Sequence, residues 1–264
     1  MSDPRLAQRW ATLRAQGRAA LIPYLTAGFP DAAATLALLR GAGPAGADII
    51  ELGVPWSDPV ADGPVIQAST QAALQGGTTL GGSLALLKDS RCSVPVIVFS
   101  YLNPILAMGA RRFADAAQEA GAAGVLVTDL PVGADAALEA ELRSSGLPLV
   151  RLVAPTSTPE RVRAIAAASE GFVYLVARTG VTGATTDVGA ELGRRVAAVR
   201  AATALPVAVG FGISSGEQAA RVAALADGVV VGSALVERMK NDCTAALAWL
   251  GELRAALDAG RRAA

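Results

Sequence analysis

Residues 49–64 read Ile49-Ile50-Glu51-Leu52-Gly53-Val54-Pro55-Trp56-Ser57-Asp58-Pro59-Val60-Ala61-Asp62-Gly63-Pro64. From Asp48 the run 48–54 is apolar around Glu51, which predicts a buried strand carrying that acid toward its far end. A loop with three prolines then brings up Asp58 and Asp62 before a helix predicted to open at Gln67. Three acids therefore gather around one strand end. Glu51 lies between Ile50 and Leu52. A structural role would require a buried partner for it, whereas a functional role would make it a desolvated acid/base with a raised pKa. Asp58 and Asp62 stand in Ser-Asp-Pro and Ala-Asp-Gly, which are also ordinary turn sequences.

Outward from this stretch, short apolar runs alternate with Ala/Leu/Arg-rich helical segments along the whole chain. Strands are predicted at 20–25, 48–53, 95–100, 124–128, 147–153, 171–176, 206–209 and 228–231. Such alternation argues a parallel sheet with helices outside. Eight units in about 250 residues match a closed (β/α)8 TIM barrel, an α/β fold. An open doubly wound sheet would more often carry a G-x-G-x-x-G turn after its first strand; here that turn is Thr26-Ala27-Gly28-Phe29-Pro30. The glycine-rich stretches 41–46 and 76–82 are brief enough to be turns, so residues 1–264 are expected to form a single domain. Helical stretches at 5–14 and 234–257 would add N-terminal and C-terminal layers to the barrel.

Composition narrows the chemistry. Of the 264 residues 52% are hydrophobic and 17% charged, enough for a sizeable core. Basic and acidic residues number 23 each, so no strong field invites nucleic acid or an anionic membrane. No apolar run reaches the roughly 18–20 residues of a membrane span, and the start Met1-Ser2-Asp3-Pro4-Arg5 lacks a hydrophobic signal core. A cytoplasmic location is expected. Cys92 and Cys243 are too few for a disulfide framework or a zinc site.

Histidine is absent, which removes the commonest general base, the usual Ser/His and Cys/His pairs and most transition-metal sites. Lysine occurs only at Lys88 and Lys240, both away from the predicted strand ends, so a Schiff-base lysine has no good candidate. Acid/base work falls to carboxylates or tyrosine.

In a (β/α)8 barrel the active site is built beyond the C-terminal strand ends. Those positions offer Tyr24 and Thr26, Glu51, Tyr101 and Asn103, Asp129, and Tyr174 near Arg178-Thr179-Gly180-Val181-Thr182-Gly183-Ala184. Asn103-Pro104 and Asp129-Leu130-Pro131 also read as turns. The last two strands end in Gly210-Phe211-Gly212-Ile213-Ser214-Ser215-Gly216 and Gly228-Val229-Val230-Val231-Gly232-Ser233-Ala234. Glycine lets backbone approach an anion, serine can cap the following helix, and free N–H groups at a helix start attract phosphate without lysine. Tight turning with helix capping would explain either pair alone. Together they predict a phosphate site. The Gly/Thr-rich segment 178–190 would suit a lid that excludes water, or a surface loop.

These motifs closely resemble the α subunit of tryptophan synthase over about residues 17–240. The resemblance is carried by Pro23-Tyr24-Leu25-Thr26-Ala27-Gly28, the acidic stretch 51–64, Tyr101-Leu102-Asn103-Pro104, Arg178-Thr179-Gly180-Val181-Thr182-Gly183, Gly210-Phe211-Gly212-Ile213-Ser214 and Gly232-Ser233. It implies a lyase that cleaves indole-3-glycerol phosphate to indole and glyceraldehyde 3-phosphate, then hands indole to a β subunit in an α2β2 heterotetramer. It implies no cofactor and no metal in this chain, with pyridoxal phosphate in the β partner.

Position by position, Glu51 matches the family's general acid/base and Asp62 its second catalytic carboxylate. Gly183, Phe211, Gly212, Gly232 and Ser233 match phosphate-contacting positions, and Tyr24, Phe99 and Tyr174 match residues near the substrate. Thr182 matches a lid residue closing toward Asp62, and Asp58 with loop 54–61 matches the surface that communicates with the β subunit. Trp56 stands where many members have phenylalanine, and Phe99 where an aliphatic residue is common. A stand-alone indole-glycerol-phosphate lyase is the nearest alternative. Another phosphate-handling barrel, such as a sugar-phosphate isomerase, would share the Gly-Ser ends without explaining the acid loop, and an inactive partner-binding barrel would be expected to have lost an acid.

Overall fold

In the computed structural model all eight strands close into one parallel barrel in chain order. The structure describes residues 4–177, 186–210 and 212–262. Helix α1 (Pro4–Ala15) precedes β1 (Ala20–Thr26), followed by α2 (Ala32–Gly41), β2 (Ile50–Gly53), α3 (Pro64–Gln75) and α4 (Leu80–Ser90). Strand β3 (Val96–Ser100) leads into α5 (Leu102–Met108) and α6 (Ala110–Glu119), and β4 (Gly124–Val127) into α7 (Ala136–Arg143). Then come β5 (Leu149–Val153), α8 (Pro159–Ala168), β6 (Val173–Val176), α9 (Thr186–Arg200), β7 (Val207–Gly210) and α10 (Gly216–Ala223). Strand β8 (Gly228–Val231), α11 (Ser233–Met239) and α12 (Cys243–Arg262) complete the chain.

The strands differ from the sequence expectation only at their ends. Strand β6 begins at Val173 because Gly171, at φ 74°, still turns the chain into it. Strand β2 begins at Ile50; Asp48 instead accepts the Leu21 N–H at 2.9 Å. The predicted C-terminal helix 234–257 is two helices, α11 and α12, and α3 opens at Pro64 rather than Gln67. Proline suits that first position, where the missing N–H removes a donor that would have no helical partner. Gly81 and Gly82 lie inside α4, whose start is capped by Thr79 accepting the Gly82 N–H, so only the first part of 76–82 is a turn.

Alternation along the strands makes two cores. Ile22, Ile97, Leu126 and Val150 point into the barrel, and their neighbours Leu21, Val96, Val125 and Leu149 pack outward beneath the helices. Helix α1 joins the inner cluster through Leu6, Trp10 and Leu13, with Trp10 tilted on Phe172 at 5.6 Å between ring centroids. The barrel is thereby plugged at the end where the strands begin, leaving the opposite end for chemistry. Helix α12 packs on α10 and α2 and is tied to the strand starts by Arg254, which reaches Asp48 at 3.1 Å and the Ala19 carbonyl at 2.9 Å. No helix among the described residues is long and apolar enough to cross a membrane.

Candidate active site

Glu51 is the second residue of β2, paired in register with Tyr24 on β1 and Ile97 on β3. The ladder continues past it through Gly53, so its carboxylate rises from within the barrel rather than from the strand's far end. It is 1% exposed, and its Oε1 has no hydrogen-bond partner among the described residues. Burial in these apolar surroundings pushes its pKa up to about 8. The carboxyl group is therefore mostly protonated at neutral pH.

Asp62 is delivered by the proline-rich loop between β2 and α3. It is half-buried, and the Tyr101 hydroxyl donates to its Oδ2 at 3.0 Å. The same phenolic oxygen accepts the Ala61 N–H at 2.9 Å, while the Gln67 amide donates to the Asp62 carbonyl at 2.8 Å. Burial raises the Asp62 pKa and the Tyr101 bond draws it back down. Asp58 lies outward on the same loop, with the Ser57 hydroxyl donating to its Oδ2 at 2.5 Å.

Two tyrosines share the field of these carboxylates. Tyr24 stands edge-on to Phe99, with 5.5 Å between centroids and 83° between ring planes. Burial and then the charge of Asp62 push the Tyr24 hydroxyl far above its usual range; burial and then Glu51 do the same to Tyr174. Both remain neutral phenols. Their seats depend on glycine: a Cβ at Gly53 would overlap the Tyr24 hydroxyl, and one at Gly210 would overlap that of Tyr174. Nothing in the sequence marks these two glycines as spacers, because only the closed barrel brings the rings over them.

The ends of β7 and β8 lie beside this pocket. A Cβ at Gly232 would touch Ile66 and the Tyr24 Cβ at 3.6 and 3.8 Å, and one at Gly212 would meet nothing within 4 Å among the described residues. Packing alone does not demand glycine at either position. Ser215 caps α10 by accepting the Gln218 N–H at 3.3 Å, as expected for a serine before a helix. Ser233 does not cap: Gly232 holds the N-cap position without a side-chain bond, and Ser233 is the first helical residue. Thr182, Gly183 and Phe211 lie outside the described residues, as does 178–185 of the predicted lid, while residues 186–190 belong to α9.

Of the other strand-end candidates, Thr26 is engaged with Ser69 at 2.7 Å between buried hydroxyls. Asp129 accepts the Leu102 N–H at 2.7 Å at the start of α5, and Asn103 lies within that helix. Cys92 and Cys243 are free thiols, and no group of three or more potential metal ligands occurs among the described residues.

A model of the family "Tryptophan synthase alpha chain" matches residues 10–258. The chain belongs to the tryptophan synthase alpha chain family. The tryptophan synthase alpha chain of Geobacter sulfurreducens is 49% identical over 245 residues, covering 92% of this chain and 93% of the relative. That of Synechocystis sp. is 51% identical over 230 residues, covering 86% and 87%. Among solved structures, Mycobacterium tuberculosis tryptophan synthase superposes with a TM-score of 0.89 at 40% identity, covering 97% of this chain and 99% of that one. Tryptophan synthase subunit alpha from Legionella pneumophila gives 0.87 at 36%, covering 97% and 98%. Tryptophan synthase alpha chains are lyases that cleave indole-3-glycerol phosphate, and the paired beta subunit makes tryptophan. Pyridoxal phosphate belongs to the beta subunit, and the alpha chain carries no cofactor.

Proposed function

We propose that Glu51 and Asp62 divide the proton transfers of indole-3-glycerol phosphate cleavage between them. The observation that carries this reading is the buried Glu51, whose Oε1 has no hydrogen-bond partner among the described residues, and the hydrogen-bonded Asp62, both acting on the same two tyrosines. Glu51 protonates C3 of the indole, leaving positive charge on the ring nitrogen, and ionised Asp62 accepts a hydrogen bond from that N–H and stabilises the cation. The Glu51 carboxylate then takes the proton of the side-chain hydroxyl next to the breaking bond. The C–C bond electrons return to the ring as that carbon becomes the aldehyde of glyceraldehyde 3-phosphate, and indole leaves with its aromaticity restored. Two carboxylates in unlike environments thus replace a histidine.

In this reading Tyr24, Phe99 and Tyr174 enclose the indole ring. The backbone at Gly212, Gly232 and Ser233 holds the phosphate, and Thr182, Gly183 and Phe211, outside the described residues, are assigned to the same substrate by the family positions they match. Packing among the described residues does not require glycine at Gly212 or Gly232, which supports the phosphate assignment. Loop 54–61 with Asp58 is the docking surface for the beta subunit in an α2β2 assembly. Val60 on that loop is 84% exposed and Leu106 on the neighbouring α5 is 50% exposed, apolar surface that a partner would cover. We assign residues 1–264 to one domain, a reading supported by the closed order of the eight strands. We assign the enzyme to the cytoplasm, which fits its two free thiols.

The test is indole release from indole-3-glycerol phosphate by the purified chain, with and without its beta subunit. Slow release accelerated by the partner is expected. Fast release by the chain alone would favour a stand-alone lyase, and no release in either condition would remove the proposed roles.

A further inference from the structure

We infer that Tyr101 is the positioning residue for Asp62, holding that carboxylate ionised and fixing the loop that carries it; this rests on the catalytic reading of Asp62. One phenolic oxygen makes both contacts. It donates to Asp62 Oδ2 at 3.0 Å and accepts the Ala61 N–H at 2.9 Å, so the side chain of one residue and the backbone of the one before it are pinned to the same atom. A loop with Pro55, Pro59 and Gly63 has no strand ladder of its own at this point, and Tyr101 supplies the fixed reference that the ladder would otherwise give.

Tyr101 is itself anchored. It is 3% exposed and occupies the N-cap position of α5 directly after β3. The Asp129 carboxylate accepts the N–H of Leu102, the next residue, at 2.7 Å, and the Ser100 hydroxyl donates to the Tyr101 carbonyl at 2.9 Å. The path from β4 through the start of α5 to Asp62 therefore consists of short polar contacts with little slack.

The chemistry follows from the donor's direction. A phenol that donates to a carboxylate favours its ionised form, the form required to stabilise a cationic ring nitrogen. The charge of Asp62 acts on Tyr24, Tyr174 and Tyr101; Glu51 acts on Tyr24 and Tyr174, and Asp129 acts on Tyr101. All three hydroxyls are held neutral by burial. Among these groups only Tyr101 hydrogen-bonds the carboxylate. Its removal should act through Asp62 and not through substrate contacts.

Tyr101→Phe keeps the ring and deletes the donor. In the complex with the beta subunit, kcat should fall about tenfold or more while KM for indole-3-glycerol phosphate changes less than about twofold. The acidic limb of the kcat/KM profile should move up by about one pH unit, because Asp62 then ionises less readily. Replacing Tyr101 by 3-fluorotyrosine, a more acidic donor of nearly the same shape, should move that limb down, and this serves equally if Tyr101→Phe folds poorly. In an Asp62→Asn background, Tyr101→Phe should cost nothing further. An unmoved limb in both Tyr101 variants, with Asp62→Asn slowed to a small residual turnover, would overturn this inference alone. Full turnover by Asp62→Asn would overturn the reading of Asp62 and this inference with it.

Discussion

Glu51 and Asp62 present their carboxyl groups in opposite polar surroundings: Glu51 is closed off, its Oε1 without a hydrogen-bond partner among the described residues, while half-buried Asp62 accepts the Tyr101 hydroxyl at 3.0 Å. The first group is pushed up to about 8 by burial, and the second is raised by burial but held back by its hydrogen bond. The cleavage starts with Glu51 as a neutral acid and Asp62 as an anion. Activity should therefore rise as Asp62 ionises, above the ordinary aspartate range, and fall as Glu51 loses its proton near pH 8. A pH profile of kcat/KM checks this, and a plateau persisting well past pH 9 would contradict the assignment of Glu51.

The same burial makes Glu51 a cost to the fold. The folded chain keeps this proton up to about pH 8, whereas the unfolded chain releases it near 4.5. Folding is thus favoured most below pH 4.5, and the contribution is lost as pH rises toward 8. Glu51→Gln removes this dependence and should be more stable than wild type by a few kcal/mol, on the order of 3–5, at pH 9 but not at pH 4.5. Urea unfolding at both pH values measures it; an equal difference at each would show that Glu51 is not the group responsible.

Gly210 makes room for Tyr174. Gly210→Ala should destabilise the barrel by about 1–3 kcal/mol and lower turnover by pushing the ring aside. Adding Tyr174→Leu should restore much of the stability without restoring turnover. Denaturant melts and steady-state rates on the three variants test the pair, and a Gly210→Ala protein as stable as wild type would contradict the spacer role.

Gly232→Asp would set a negative charge where the phosphate is proposed to lie. A Cβ there meets only ordinary contacts, so the chain should still fold. KM for indole-3-glycerol phosphate should rise at least tenfold, a penalty of more than about 1.4 kcal/mol for like charges in contact. An unchanged KM would move the phosphate elsewhere.

The eight-strand plan was legible because parallel strands buried on both faces leave short apolar runs, and the βα alternation then limits the closed solutions. Glu51 was legible for a related reason, as an acid has no ordinary place in such a run. The ends were less visible: Gly171 reads as strand until its positive φ is known, and the break between α11 and α12 is confined to Lys240-Asn241-Asp242, three polar residues between two Ala/Leu-rich stretches. Contacts across the barrel were the least accessible. Tyr101 and Asp62 are 39 positions apart, and the fit of Tyr24 over Gly53 depends on strand register. Ser233 looked like a cap because serine favours that position, but the chain placed Gly232 there and carried Ser233 into the helix.

The most direct measurement is indole formation by Glu51→Gln, assembled with the beta subunit, beside direct substrate binding by calorimetry. Glutamine keeps the shape of the side chain but can neither give up nor accept the proton. The account predicts substrate affinity within a few-fold of wild type and turnover lowered by at least about a thousandfold. Turnover within tenfold of wild type would contradict the claim that Glu51 carries the proton.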